Sequence, residues 1–200
     1  GYFIKNPDGE VYVHRLANSP DLFGTCIDFT NPEACSWWQD HIRRIVHLGV
    51  DGFKTDFGEQ IPDDAVFYDG STGHEMHNLY PVLYNRLTYE ALNAETQGVL
   101  LARSAWDGAQ PYCVLFAGDQ SSDFSPAGGL QSVIIAGQSA GLSGFPYWTC
   151  DIGGYFGSPT EEVFIRWAQF GAFCPIMQVH GIGIREPWKF SERTLDIYKK

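Results

Sequence analysis

The sequence predicts an α/β fold of the (β/α)8 barrel type, here a partial barrel of about six strand–helix units whose first strands lie before Gly1. Three observations predict it. Short apolar runs alternate with longer helical stretches along most of the 200 residues. The strand candidates are apolar throughout rather than alternating, which suits a parallel sheet covered on both faces. Asp28, Asp56, Arg103, Asp119, Asp151 and His180 each stand at a strand's C-terminal end, the end where a barrel presents its polar groups. A doubly wound open sheet shares that last property, but no Gly-x-Gly-x-x-Gly follows the first strand.

Tyr2–Lys5 and Val11–Val13 read as two strands around the turn Asn6-Pro7-Asp8-Gly9. Asn18 to Gly24 reads as loop, and Thr25 to Phe29 as a short strand. Asn31 is a candidate N-cap with Pro32 at the first helical position. The helix runs to about Leu48, with Trp38, Ile42, Ile45 and Val46 as its apolar stripe, and Gly49 ends it. Val50 to Asp56 is the next strand and completes a βαβ unit. Gly58 to Asn78 is long, polar and glycine-containing, as functional insertions often are. Leu79 to about Glu95 is a helix with Leu83, Leu87 and Leu92 near one face. Val99–Ala102 and Cys113–Ala117 are buried strands. Leu130–Ala140 is helical, Pro146–Cys150 a strand, and Glu161–Phe173 a helix capped at Ser158 or Thr160. Ile176–Val179 is the last strand, and Ser191 is a candidate cap for a final helix.

The chain reads as one segment over residues 1–200, with 58–78 as a loop insertion at the strand ends. Its apolar share is 44% and its charged share 18%, enough to bury a core. A net charge of −11 argues against nucleic acid or an anionic membrane as partner. No run of 18 apolar residues is present. No signal peptide is visible at Gly1, which favours the cytoplasm unless Gly1 is internal to a longer chain. Five cysteines, odd in number and without Cys-x-x-Cys, read as reduced thiols.

The chemistry concentrates in Gly52-Phe53-Lys54-Thr55-Asp56-Phe57-Gly58-Glu59. Lys54 and Asp56 are two apart, so they share a strand face, and the ammonium is expected to favour the ionised carboxylate. The same spacing also serves a structural ion pair. Asp119 follows the apolar run Val114 to Gly118 without an adjacent cation, so burial is expected to raise its pKa; a turn cap uses the same residues. Arg103 reads as a hydrogen-bonding fork or as a local ion-pair partner, and His180 as a site residue or a core histidine. His74-Glu75-Met76-His77 lacks the spacing of His-Glu-x-x-His. The carboxylates with His180 have no His-x-His to support a metal site, and no Gly-x-Ser-x-Gly elbow is present.

Gly-Phe-Lys-Thr-Asp-Phe-Gly-Glu resembles the nucleophile segment of glycoside hydrolase family 31, the retaining α-glucosidases and α-xylosidases. The resemblance continues through Arg103-Ser104-Ala105, Ala117-Gly118-Asp119, Gly141-Leu142-Ser143-Gly144, Trp148 to Gly154 and His180-Gly181. It implies a retaining hydrolase of terminal α-xylosyl or α-glucosyl residues, with Asp56 as nucleophile and Asp119 as acid/base. A sulfoquinovosidase or transglycosidase fits the same motif. Lys54, Phe57, Arg103, Phe116, Trp148, Asp151 and His180 are the implied substrate-side residues. Phe116 stands where the family commonly carries Trp, so an indole N–H donor is absent. No metal or organic cofactor is implied. The implied partner is an oligosaccharide or α-glycoside, with self-association or packing on further domains through open barrel edges. The competing expectation is a non-catalytic segment that binds sugar weakly or only packs.

Overall fold

The computed structural model describes residues 1–16 and 21–200, and divides into one unit of residues 1–113 and another of 114–200. The loop expected over Asn18–Gly24 lies partly outside the described residues. Its described end instead contains β2 (Phe23–Gly24), paired antiparallel with β1 (His14–Arg15).

In the first unit, the Asn6–Gly9 turn forms as expected. Gly9 takes φ +84° and its N–H donates to the Asn6 carbonyl at 2.9 Å. The flanking segments pair only at single positions, Lys5 with Val11 and Phe3 with Ile27, both antiparallel. The strand expected over Thr25–Phe29 is therefore reduced to one bridge. Asp28 is buried there and its carboxylate is spent on the chain itself. Oδ1 accepts from the Thr30 N–H and hydroxyl, and Oδ2 from the Tyr68 N–H.

Helix α1 (Pro32–Val46) starts where its capping residues require. The Asn31 side chain accepts from the Glu33 N–H at 2.9 Å, and Pro32 occupies the first turn, where its missing donor costs nothing. Gly49, at φ +94°, ends the following turn. Ala34, Ile42 and Val46 are buried, but Ile45 is 40% exposed, against expectation. It lies about 100° from Val46 around the helix, off the face that packs on α3 (Tyr80–Asn93). There Ile42 and Val46 meet Ala91 and Leu92, and the Trp38 indole donates to Thr88 Oγ1 at 2.9 Å. Full burial of one such aliphatic side chain contributes about 1.5–3 kcal/mol.

Strand β3 (Gly52–Thr55) runs parallel to β4 (Val99–Ala102), with Gly52 opposite Val99 and Thr55 opposite Ala102. The 58–78 segment between β3 and α3 is more ordered than a plain loop. Val66 bridges both Lys5 and Thr72, and α2 (Gly73–Met76) opens on a reciprocal cap between Thr72 and Glu75. Gly73 is required there, since a Cβ would overlap the Pro62 carbonyl. Ile61, Ala65, Phe67 and Met76 from this segment are buried beside Ile4, Phe29 and Tyr80.

In the second unit, β5 (Val114–Phe116) is parallel to β6 (Trp148–Thr149), in the register Leu115–Trp148 and Phe116–Thr149. Helix α4 (Leu130–Leu142) connects them. Helix α5 (Glu161–Gly171) is capped by Thr160, whose hydroxyl accepts from the Val163 N–H, and α6 (Glu192–Tyr198) by Ser191. Leu130, Val133, Cys150, Ile152, Phe164 and Trp167 form the core. The strand expected over Ile176–Val179 is a single parallel bridge between Asp151 and Gln178, and a 3₁₀ turn follows at Pro187–Lys189. A ladder needs successive paired residues, and at this position only one pair meets. Among the described residues no helix is long and apolar enough to cross a membrane.

Candidate active site

Within the first unit the β3–β4 register places Asp56 and Arg103 side by side, because each directly follows the last paired residue of its strand. The Arg103 N–H closes the ladder on the Thr55 carbonyl at 3.2 Å. Its guanidinium then reaches Asp56 Oδ1 at 3.1 Å and Glu59 Oε1 at 2.6 Å. The Phe57 ring lies 4.2 Å from the guanidinium carbon, a cation–π contact of about 0.5–2 kcal/mol. The Arg103 side chain is 16% exposed and those of Asp56 and Glu59 are 44% and 41% exposed, so solvent screens the carboxylate side of both pairs.

The backbone turn that makes this possible is strained. Phe57 has φ +60° and Gly58 φ +96°; a left-handed residue with a side chain costs about 1–2 kcal/mol. Local hydrogen bonds hold it. The Phe57 N–H donates to Asp56 Oδ1 at 3.0 Å, and the Ser104 hydroxyl donates to the Phe57 carbonyl at 2.6 Å. A Cβ on Gly58 would lie 2.6 Å from Ser104 Oγ. Behind the turn, the buried Thr55 hydroxyl donates to Asn85 Oδ1 at 2.7 Å, and Asn85 Nδ2 donates to the Ser104 carbonyl at 2.9 Å. Burial, with a contribution from the Asp56 charge, pushes the Tyr84 hydroxyl up to about 12. It is therefore a neutral wall at ordinary pH. Lys54, on β3, is exposed.

Within the second unit, β5 ends at the buried Phe116, and Gly118 at φ +81° turns the chain so that Asp119 is exposed. The burial expected of Asp119 is not found. Asp119 follows the Gly118 turn and lies beyond the end of β5, whereas the apolar run before it is in the sheet. His180 is also exposed, its ring 5.4 Å from that of Tyr155; it is not a core histidine. Asp151 is 1% exposed and accepts from Gln178 Nε2. Trp148 is half-buried against Gly137 of α4, where a Cβ would lie 2.7 Å from its ring. Phe116, Trp148 and Asp151 thus sit among packed groups, while Asp119 and His180 face outward.

Sequence reasoning missed Glu59, Tyr84, Asn85 and Arg185. Glu59 closes the quoted motif and carried a weak signal. Asn85, inside an amphipathic helix, carried one too: it is a polar residue on the buried face. Nothing in the sequence marks Arg185, which is 3% exposed. The His74–His77 stretch is consumed locally, since Glu75 is the reciprocal partner of the Thr72 cap. Among the described residues no cluster of three His, Cys, Asp or Glu is arranged to hold a metal ion.

The model of the Glycosyl hydrolases family 31 TIM-barrel domain matches residues 1–200. The α-xylosidase of Emericella nidulans is 38% identical over 204 residues, covering 100% of this chain and 25% of that protein. The sulfoquinovosidase of Escherichia coli is 35% identical, covering 95% of this chain and 29% of that protein. Among solved structures, a family 31 sulfoquinovosidase from E. rectale in complex with an aza-sugar inhibitor aligns with a TM-score of 0.85. It has 36% identity and covers 99% of this chain and 31% of that one. The chain therefore spans between a quarter and a third of each of these three proteins, and its fold is that of a barrel domain of the TIM type.

Proposed function

This chain belongs to glycosyl hydrolase family 31, and on that premise we propose that it carries the catalytic carboxylates of a retaining α-glycoside hydrolase acting on terminal α-xylosyl or α-glucosyl residues. The observation that carries the reading is the Arg103 bridge to Asp56 and Glu59 at the C-terminal ends of parallel strands. A carboxylate fixed in direction by a guanidinium is suited to attack carbon. The similarity to proteins named α-xylosidase supports the substrate class; sulfoquinovosidases among the similar proteins keep a sulfonated sugar as the nearest competitor.

In the first step an Asp56 oxygen bonds to the anomeric carbon while the glycosidic C–O bond breaks, and Asp119 gives its proton to the departing oxygen. The products are a glycosyl ester on Asp56, a free alcohol and an Asp119 carboxylate. In the second step Asp119 takes a proton from water, the hydroxide oxygen bonds to the anomeric carbon and the ester bond breaks. Two inversions give net retention. No step needs a metal or an organic cofactor.

The exposure of Asp119 favours a second reading, a segment that binds sugar weakly without turnover. Turnover of an aryl α-xyloside by the protein, and its loss by about 10³-fold or more in Asp56→Ala, decides between them. Full activity in Asp56→Ala removes the nucleophile assignment, and no turnover of α-xylosides, α-glucosides or sulfonated α-glycosides leaves the binding reading.

A further inference from the structure

Arg185 is a buried cation whose hydrogen bonds go to neutral oxygens. Nε donates to the Gly154 carbonyl at 2.8 Å. One terminal nitrogen donates to the Ile184 carbonyl at 3.0 Å, and the other to Ser122 Oγ at 2.9 Å and the Tyr155 and Gly157 carbonyls at 3.0 and 2.8 Å. A guanidinium is a planar fork of donors, and here its three nitrogens meet five acceptors drawn from three stretches of chain, three of them shared by one terminal nitrogen. Glycines make room for it. A Cβ on Gly181 would lie 3.0 Å from Arg185 Nε and 2.9 Å from the Gly154 and Tyr155 carbonyl oxygens; one on Gly153 would lie 3.3 Å from Arg185 Cδ. Both glycines have positive φ.

The three stretches matter because of what they touch. The Tyr155 and Phe156 N–H groups donate to the Gln120 carbonyl, next to Asp119, at 2.7 and 2.8 Å. Ser122 closes the same loop, donating from both its N–H and its hydroxyl to the Phe156 carbonyl. The Tyr155 carbonyl accepts from the Ile182 N–H, and its ring lies against His180. Asp119 and His180 are both exposed, and the loops next to them are joined through this arginine-centred set of hydrogen bonds.

We propose that Arg185 is a positioning residue for the proton-transfer half of the reaction: by tying the 120–122, 154–157 and 181–185 segments together it sets where the Asp119 carboxyl stands relative to the leaving-group oxygen. This rests on the assignment of Asp119 as acid/base. A misplaced acid costs most where the leaving group needs a proton and least where it does not.

The test uses the full natural-length protein and two α-glycosides of the same sugar, one with an acidic phenol as leaving group and one with an alkyl alcohol. The readout is the ratio of kcat/KM on the alkyl to that on the aryl glycoside. That ratio cancels the fraction of correctly folded enzyme, so a role confined to stability would not move it. Arg185→Lys keeps the charge but loses the fork, and is expected to lower the ratio about tenfold. Ser122→Ala removes one acceptor with little risk to folding and is expected to lower it about threefold. Asp119→Ala is the reference and should lower it further still. If Asp119→Ala lowers the ratio and neither other variant does, the positioning proposal is overturned while the acid/base assignment stands. If Asp119→Ala leaves the ratio unchanged, both fall.

Discussion

Replacing Thr55 by Val tests whether the buried Thr55–Asn85–Ser104 relay stiffens the Asp56 turn. The substitution nearly conserves volume and removes only the hydroxyl that donates to Asn85 Oδ1 at 2.7 Å. Thr55 and Asn85 are 2% and 1% exposed, so no water replaces the lost donor, and the stranded amide oxygen costs about 1–3 kcal/mol. Asn85→Ala should cost more, about 2–5 kcal/mol. It strands the Ser104 carbonyl and leaves a cavity besides. Because the two share a bond, the double variant should be less destabilised than the sum of the singles by about 1–2 kcal/mol. Thr55→Ser retains the hydroxyl and should retain most of the coupling. Urea unfolding of the four variants and the parent measures the cycle. A loss under about 0.5 kcal/mol for Thr55→Val, or strict additivity of the pair, would refute the claim that this relay is a stabilising unit.

Asp119→Ala should retain slow turnover of aryl glycosides with good leaving groups and be rescued by azide, giving a glycosyl azide of retained configuration; an inverted azide would contradict double displacement. In a crystal structure of the whole protein the Asp56 and Asp119 carboxyl groups should stand about 5–5.5 Å apart, and a gap of about 6.5–9.5 Å would indicate inversion. Iodoacetamide at pH 8 should alkylate Cys174 first. The neighbouring Cys150 thiol lowers its pKa from the ordinary value, whereas burial pushes Cys26 up to about 11 and Cys113 up to about 12. Labelling of Cys113 ahead of Cys174, followed by peptide mass, contradicts this. Met177 and Val179 are 44% and 40% exposed, so the 200-residue chain alone should self-associate in sedimentation, and Val179→Lys should weaken the association; a monomer at all concentrations removes that expectation.

Local signals carried much of the fold. Asn31 followed by Pro32, and Thr160 and Ser191 before charged helical turns, announce their helices through groups only a few residues apart. Val99–Ala102 is legible as a strand because four apolar residues meet the parallel ladder in full. Thr25–Phe29 was not, because its composition suits a strand but a partner meets it only at Ile27. The same division holds for the site. Asp56 and Arg103 were legible as strand-end polar residues, and Phe57 lay inside the motif. That Arg103 also grips Glu59, that Asn85 backs Thr55, and that Arg185 gathers three distant carbonyls are all products of chain return. No window of neighbouring residues contains them. The exposure of Asp119 was missed for the opposite reason: the apolar run before it suggested burial, and a single left-handed glycine reversed the outcome.

Arg103 has two carboxylates and Asp56 is only one of them. On the double-displacement reading this bears on how the three groups share charge through the cycle. At rest the three groups sum to one negative charge. When Asp56 becomes an ester it gives up its charge, and an arginine that served Asp56 alone would be left as a half-hidden cation without a counter-ion, at a cost of several kcal/mol. Glu59 remains, so the covalent state is neutral and the guanidinium never loses its companion. The cluster thus alternates between minus one and zero and avoids plus one. A sugar ring acquiring positive charge at its transition state would meet two carboxylates for one guanidinium before the bond forms, and one for one afterwards.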